Sequence, residues 1–226
     1  MKHYVVVGSK PWNRRVFDKH VASMQGLWYF VSERQALTLA WLDTVKPRYI
    51  FFVHWSWLVP KEITDKYECV CFHMTDVPFG RGGSPLQNLI VRGFSQTKLT
   101  ALKMSAEVDA GPIYLKRELS LEGNAEEIYI RSNELAFEMI KELIRTEPNS
   151  VPQQGEPVFF ARRKPAESEI PPLASLEELY NFIRMLDAEG YPFAFFVQDG
   201  FRYEFRRAGL YDNRIEANVT ITQEER

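Results

Sequence analysis

Cys69-Val70-Cys71-Phe72-His73-Met74-Thr75-Asp76-Val77-Pro78-Phe79-Gly80-Arg81-Gly82-Gly83-Ser84-Pro85 is the stretch whose reading decides the fold. Its first four residues are apolar without alternation, the pattern of a strand buried on both faces of a parallel sheet. A polar turn follows, and Ser84-Pro85 opens a helix predicted to run to about Arg92. A histidine closing such a strand lies where open α/β sheets bind ligands, outside the carboxyl ends of their strands.

Upstream, Tyr4-Val5-Val6-Val7-Gly8 predicts a first buried strand, with Ser9-Lys10-Pro11 turning into a helix from about Trp12 to Met24. Leu27-Trp28-Tyr29-Phe30-Val31 predicts the next strand. Ser32 is a candidate N-cap for a helix from about Glu33 to Thr44. Arg48 to Val53 is rich in β-branched and aromatic residues, suits a third strand, and ends at His54-Trp55-Ser56-Trp57. With a short helix near Lys61, the alternation argues for an α/β fold, a doubly wound, mostly parallel sheet.

Downstream, Lys98 to Met104 and Pro112 to Lys116 predict two further strands, with Val108-Asp109-Ala110-Gly111 as the turn between them. An amphipathic helix from about Ala125 to Arg145 closes the first domain. The sequence predicts a boundary at Asn149-Ser150-Val151-Pro152, separating residues 1–150 from a small β-rich domain, 151–226. In the latter, a helix near Leu176 to Leu186 precedes strand-like runs at Ala194 to Gln198, Phe201 to Arg207 and Arg214 to Ile221.

Hydrophobic residues at 45% and charged residues at 26% are ordinary for a globular chain, so disorder is not indicated. The formal charge of −2 gives no reason to expect a nucleic acid partner. No apolar run approaches the roughly 18 residues of a membrane span, and no signal peptide pattern precedes the first strand. A cytoplasmic protein with no membrane partner is expected. Cys69 and Cys71, the only cysteines, lie two apart on one face of one strand. That placement suits neither an ordinary disulfide nor a four-ligand zinc site, and no metal is expected.

His73 and Asp109 each follow a predicted strand. Singly, each reads as a satisfied histidine or an exposed turn carboxylate; together at the mouth of one sheet they form a candidate acid/base pair.

His73, Pro78, Arg81, Gly82, Pro85 and Gln87, with Asp109 and Gly111 at a similar spacing downstream, resemble the signature of the N10-formyltetrahydrofolate-dependent formyltransferases. Val53 to Pro60, Ala161-Arg162-Arg163 and Tyr191-Pro192-Phe193-Ala194-Phe195 extend the resemblance over most of the chain. It implies a formyltransferase using N10-formyltetrahydrofolate as formyl donor. In such a reaction an amine attacks the formyl carbon, and side chains donate hydrogen bonds to the developing oxyanion. The resemblance implies that His73 stabilises the oxyanion and relays protons, and that Asp109 orients it and accepts the proton lost by the amine. Where the family carries an asparagine two residues before the histidine, this chain has Cys71, a weaker donor. Asn88 or His54 is a candidate replacement for the missing amide. Trp55, Met104, Val108 and Asp109 are the implied folate contacts, and Lys10, Phe79 and Arg81 the candidates for the acceptor substrate.

The wording from His73 to Pro85 resembles the branch acting on pseudaminic-acid-type sugars, whose substrate is a nucleotide-linked amino sugar, UDP-4-amino-4,6-dideoxy-N-acetyl-altrosamine. The alternatives are a methionyl-tRNA formyltransferase-like enzyme, which needs a basic surface for its tRNA, and a folate or nucleotide-sugar binding protein without catalysis. The apolar C-terminal strands offer a surface for a homodimer.

Overall fold

The computed structural model describes residues 1–224, and these divide into two units, neither continuous in sequence. The first comprises Met1–Gly82, Thr97–Leu119 and Ile130–Phe159; the second comprises Gly83–Gln96, Ser120–Tyr129 and Phe160 onward. The partition therefore does not fall at one point near residue 150.

The first unit is built on a six-stranded sheet. Its strands are β1 (His3–Val7), β2 (Leu27–Val31), β3 (Tyr49–Phe52), β4 (Cys69–His73), β6 (Gln96–Lys103) and β7 (Ile113–Ser120). Their order is β2-β1-β3-β4-β6-β7. From β2 to β4 every pairing is parallel, whereas β6 runs antiparallel to β4, with Cys71 opposite Leu102 and His73 opposite Thr100. The sheet is mostly parallel, and β1 from Tyr4 on, β3 and the first two residues of β4 are buried, as expected of strands covered on both faces.

Helix α1 (Pro11–Val21) begins with proline at its first position, where the missing N–H is not needed. Residues 34–36 form a 3-10 turn, and Thr38 caps α2 (Leu39–Val45) through a bond from Trp41 N–H at 3.2 Å, so the helix predicted from Glu33 is two short pieces. α3 (Lys61–Lys66) leads into β4. The long helix α5 (Ala125–Thr146) buries Phe137, Ile140 and Leu143 completely. Each such side chain stabilises by ~1.5–3 kcal/mol. Phe137 stacks on His20 of α1, whose Nε2 lies 2.6 Å from Glu134.

A two-stranded ribbon pairs β5 (Phe79–Gly82) with β8 (Val158–Phe160). Neither strand is apparent from the sequence. The Val158 N–H donates to Pro78 O at 3.0 Å, tying the chain after α5 back onto the end of the His73 loop.

The second unit contains α4 (Pro85–Val91), α6 (Leu176–Arg184) and an antiparallel sheet in the order β11-β10-β9. Its strands are β9 (Ala194–Gln198), β10 (Phe201–Tyr211) and β11 (Arg214–Gln223). Ser175 caps α6 by accepting from Glu178 N–H at 3.1 Å. The buried Arg184 donates to Leu121 O at 2.6 Å and Gly123 O at 2.9 Å. Among the described residues no helix is long and apolar enough to cross a membrane.

Candidate active site

β1 is flanked by β2 on one side and β3 on the other, so the chain reverses its direction of travel across the sheet between them. The crevice at such a reversal, outside the carboxyl ends of the strands, is the general ligand site of open α/β sheets. His73 closes β4, next to β3, and is 8% exposed. Its Nε2 lies 2.7 Å from Gly80 O, and because a carbonyl only accepts, Nε2 carries a proton. The other ring nitrogen, Nδ1, faces Asp109 Oδ2 at 3.5 Å.

Two glycines with positive φ build the wall that holds this pair. Gly80 (φ +78°) presents its carbonyl to His73; Gly82 (φ +105°) donates its N–H to Asp109 Oδ2 at 3.0 Å. The left-handed conformation costs glycine little and other residues more. Thr75 Oγ–H also donates to Gly80 O, at 3.3 Å, and Thr100 Oγ–H to Thr75 O at 2.7 Å. The loop between His73 and β5 contains a cis Val77-Pro78 peptide. Lys116 Nζ donates to Val77 O at 2.7 Å and pairs with Asp76. Burial works against the Asp76 charge, but Lys116 and Lys98 overcome it and hold the carboxyl below its ordinary value.

Asp109 sits at φ +53° in the turn between β6 and β7. Gly111 makes that turn: a Cβ there would lie 1.7 Å from Lys103 O. Gln153 completes it, donating through Nε2 to Asp109 O and Gly111 O, each at 2.8 Å, while its Oε1 accepts from Arg81 Nη2 at 2.8 Å. One amide thus joins the Asp109 turn to β5. Gln153 has no sequence signal, because it stands in a stretch that reads as an interdomain boundary.

Cys71 shares the strand face of His73. Burial, reinforced by the Asp109 carboxylate, pushes its thiol far up, so it stays protonated. Burial likewise raises Cys69, up to about 12. Cys71, Trp55 and Met104 all pack against the cluster containing Val7, Ile50 and Phe52. Trp55 also meets Trp57 edge-on at 4.6 Å, and Trp57 is exposed. Val108 is exposed beside Asp109. Trp55 and Met104 thus share one apolar cluster with Cys71, the residue of that cluster on which the Asp109 carboxylate acts.

Arg81 is bound to Gln153 and lies 3.5 Å from Glu107. Phe79 is half-buried in β5. Lys10 precedes α1, its N–H donating to Asn13 Oδ1 at 2.8 Å. Burial and the Lys10 charge push His54 down to about 3, leaving a neutral imidazole at the end of β3. Asn88 belongs to the second unit, where its Nδ2 donates to Gly83 O, Ser84 O and Ala161 O at 3.0–3.2 Å. Its amide N–H groups are committed to that backbone.

An α/β sheet with a histidine–aspartate pair at its mouth and an antiparallel C-terminal sheet is the architecture of the formyltransferases, and the chain belongs to that family. A solved structure described as methionyl-tRNA formyltransferase from Clostridium thermocellum is 43% identical, covers 99% of this chain and 100% of its own, and superposes with a TM-score of 0.96. Residues 165–222 match the family described as methionyl-tRNA formyltransferase, C-terminal domain. The methionyl-tRNA formyltransferase of Ehrlichia ruminantium (strain Welgevonden) is 29% identical over 206 residues, covering 87% of this chain and 66% of its own. A 4-N formyltransferase from Francisella tularensis shares the fold, at 16% identity and a TM-score of 0.69 over 88% of this chain and 93% of its own. The chain spans about half to two-thirds of the length of the curated relatives it matches.

Proposed function

We propose that the chain transfers a formyl group from N10-formyltetrahydrofolate to a primary amine. The observation that carries this reading is the His73–Asp109 pair, fixed from both sides by the backbone of β5. The acceptor nitrogen bonds to the formyl carbon, the bond to N10 of the folate breaks, and a proton passes from the amine to the leaving nitrogen. Asp109 takes up that proton, and the His73 ring beside it shares the charge. His73 also supplies positive character near the tetrahedral oxyanion. The protonated Cys71 thiol adds a weak donor on the same strand face.

The folate supplies the activated formyl group. Trp55 and Met104, packed on the apolar cluster that Cys71 also touches, and the exposed Val108 before Asp109 suit a flat heteroaromatic ring; aromatic and thioether groups pack well against such rings. Lys10, Phe79 and Arg81 are left for the acceptor.

Methionine on charged tRNA is supported better than an amino sugar as the acceptor, because the relatives from Clostridium thermocellum and Ehrlichia ruminantium are named for it. A nucleotide-linked 4-amino sugar is the second reading. It is favoured by charge: from Phe160 onward acidic residues outnumber basic ones, whereas phosphate contacts to tRNA call for lysine and arginine.

The test follows tetrahydrofolate release from N10-formyltetrahydrofolate with charged methionyl-tRNA and, separately, with UDP- and dTDP-linked 4-amino sugars. Release with one acceptor, with the formylated product identified by mass, establishes the activity and names the amine. Measurable folate binding with no release for any acceptor would replace the enzyme by a binding protein.

A further inference from the structure

The second unit ends in a β-hairpin whose last strand is an edge. β11 is ten residues long and pairs only with β10; among the described residues no strand covers its other side. Long, uncovered edge strands are templates for further pairing unless charge, proline or a cover blocks them. β11 contains no proline and no lysine, and its charged side chains, Arg214 and Glu216, both lie at its beginning.

One face of this sheet is apolar up to that edge. Tyr203 is opposite Ile221 and Phe205 opposite Val219, while Phe196 of β9 packs on both rings at 4.8 and 5.5 Å. The stripe is covered on its β9 side and open at β11, where Val219 is 45% and Ile221 57% exposed.

Backbone direction can be read from the end of the hairpin. Glu224 N–H donates inward, to Gly200 O in the turn that leads into β10, at 2.9 Å. Hydrogen-bonding direction alternates along an antiparallel strand, so Thr222, Thr220 and Asn218 also face β10. Ile221 and Val219 then direct their N–H and C=O groups outward; β10 carries an extra residue between Arg206 and Gly209, opposite Ala217, and pairing resumes at Glu216 and closes at Arg214 opposite Tyr211 across the two-residue turn, so that Ala217 and Ile215 face outward as well. The same four carry the apolar side chains.

We propose that β11 pairs with β11 of a second copy of this chain, antiparallel about a two-fold axis at Asn218, so that two three-stranded sheets become one of six strands. In that register Ile215 pairs with Ile221 and Ala217 with Val219, twice over. All four pairs use outward-facing backbone groups. Glu216 falls opposite Thr220 and Arg214 opposite Thr222, so no like charges meet. Shifting the axis by one residue to Val219 moves both copies of Ile215 opposite Gln223 and leaves three apolar pairs in place of four. Shifting it to Ala217 places Ile221 opposite Asn213. Self-pairing of one surface is the isologous interface of a two-fold dimer.

The experiment is sedimentation of the full chain at micromolar concentration together with oxidative cross-linking. The wild type is expected at twice the chain mass, and Val219→Lys/Ile221→Lys at the chain mass with an unchanged far-ultraviolet spectrum. Asn218→Cys places two thiols at a non-hydrogen-bonded antiparallel pair, with Cα atoms about 4.5 Å apart, within disulfide reach. Oxidised glutathione is expected to convert this variant to a covalent dimer. In Thr220→Cys the two thiols stand about 13 Å apart at ~3.3 Å per residue, and no cross-link is expected. A monomeric wild type, including one that pairs only with a strand from another protein, overturns the proposal. So does a dimer in which Asn218→Cys fails to cross-link.

Discussion

His73 and Asp109 meet at 3.5 Å between Nδ1 and Oδ2, and each is separately anchored to β5, His73 through Gly80 O and Asp109 through Gly82 N–H. The anchors make the pair a fixed unit rather than two side chains that happen to approach. Rotation of the ring away from the carboxylate would break the 2.7 Å bond on its far side.

Replacing either partner should therefore remove proton handling while leaving the strand in place. His73→Asn and Asp109→Asn are each expected to lower the rate of tetrahydrofolate release by about 100-fold or more. Thermal unfolding should show a loss of only about 1–2 kcal/mol, the value of one or two hydrogen bonds. Full turnover in either variant would dismiss the assigned roles.

Gly111 is a steric requirement of the Asp109 turn, since a methyl group there would overlap Lys103 O at 1.7 Å. Gly111→Ala must open the turn at the end of β6, at an expected cost of roughly 1–3 kcal/mol. The melting temperature falls, and formyl transfer falls with it because Asp109 moves. An alanine variant with unchanged melting and rate would show that the turn yields freely.

The buried strands are legible in the sequence for a simple reason. Tyr4 to Val7, Tyr49 to Phe52 and Cys69-Val70 are buried and need apolar residues at every position, and Cys71-Phe72, half-buried, continue the last run. His73 and Asp109 stand out as polar residues next to such runs. β5 is hidden, because Phe79-Gly80-Arg81-Gly82 carries two glycines that favour a turn, and its strand geometry depends on β8, remote in sequence. The reversal of β6 against β4 is hidden as well: strand composition does not encode direction. Gln153 is invisible because an uncharged amide between proline and glutamine carries no periodicity, although it binds three groups of the site.

Gln153 acts through others and is a positioning residue. Gln153→Ala frees Asp109 O and Gly111 O and leaves Arg81 without its amide partner. The expected result is a fall of about ten-fold in kcat with little change in KM for folate, the loss of order in the transition state rather than of ground-state binding. Gln153→Glu, which keeps the acceptor for Arg81 but loses the Nε2 donor, should recover little. A variant in which KM rises and kcat is unchanged would place Gln153 in binding.

His54 provides a pH dependence of definite sign. Its ordinary value of 6.5 is pushed down to about 3 in the folded chain, by burial first and then by the Lys10 charge. Above pH 6.5 neither the folded nor the unfolded state binds a proton here, and the residue contributes no slope. Between 6.5 and about 3 the unfolded chain takes up a proton that the folded chain refuses. Stability is therefore lost as pH falls through this window, with a slope of up to ~1.4 kcal/mol per pH unit from this group. His54 has φ +56°, a conformation asparagine tolerates better than most residues. His54→Asn keeps the backbone bond from Ser9 Oγ–H to residue 54 O, and removes the titration. Urea unfolding at pH 7.5, 5.5 and 4.5 is expected to show a smaller acid-induced loss in the variant than in the wild type. Equal losses in the two proteins would mean that His54 takes up its proton without unfolding.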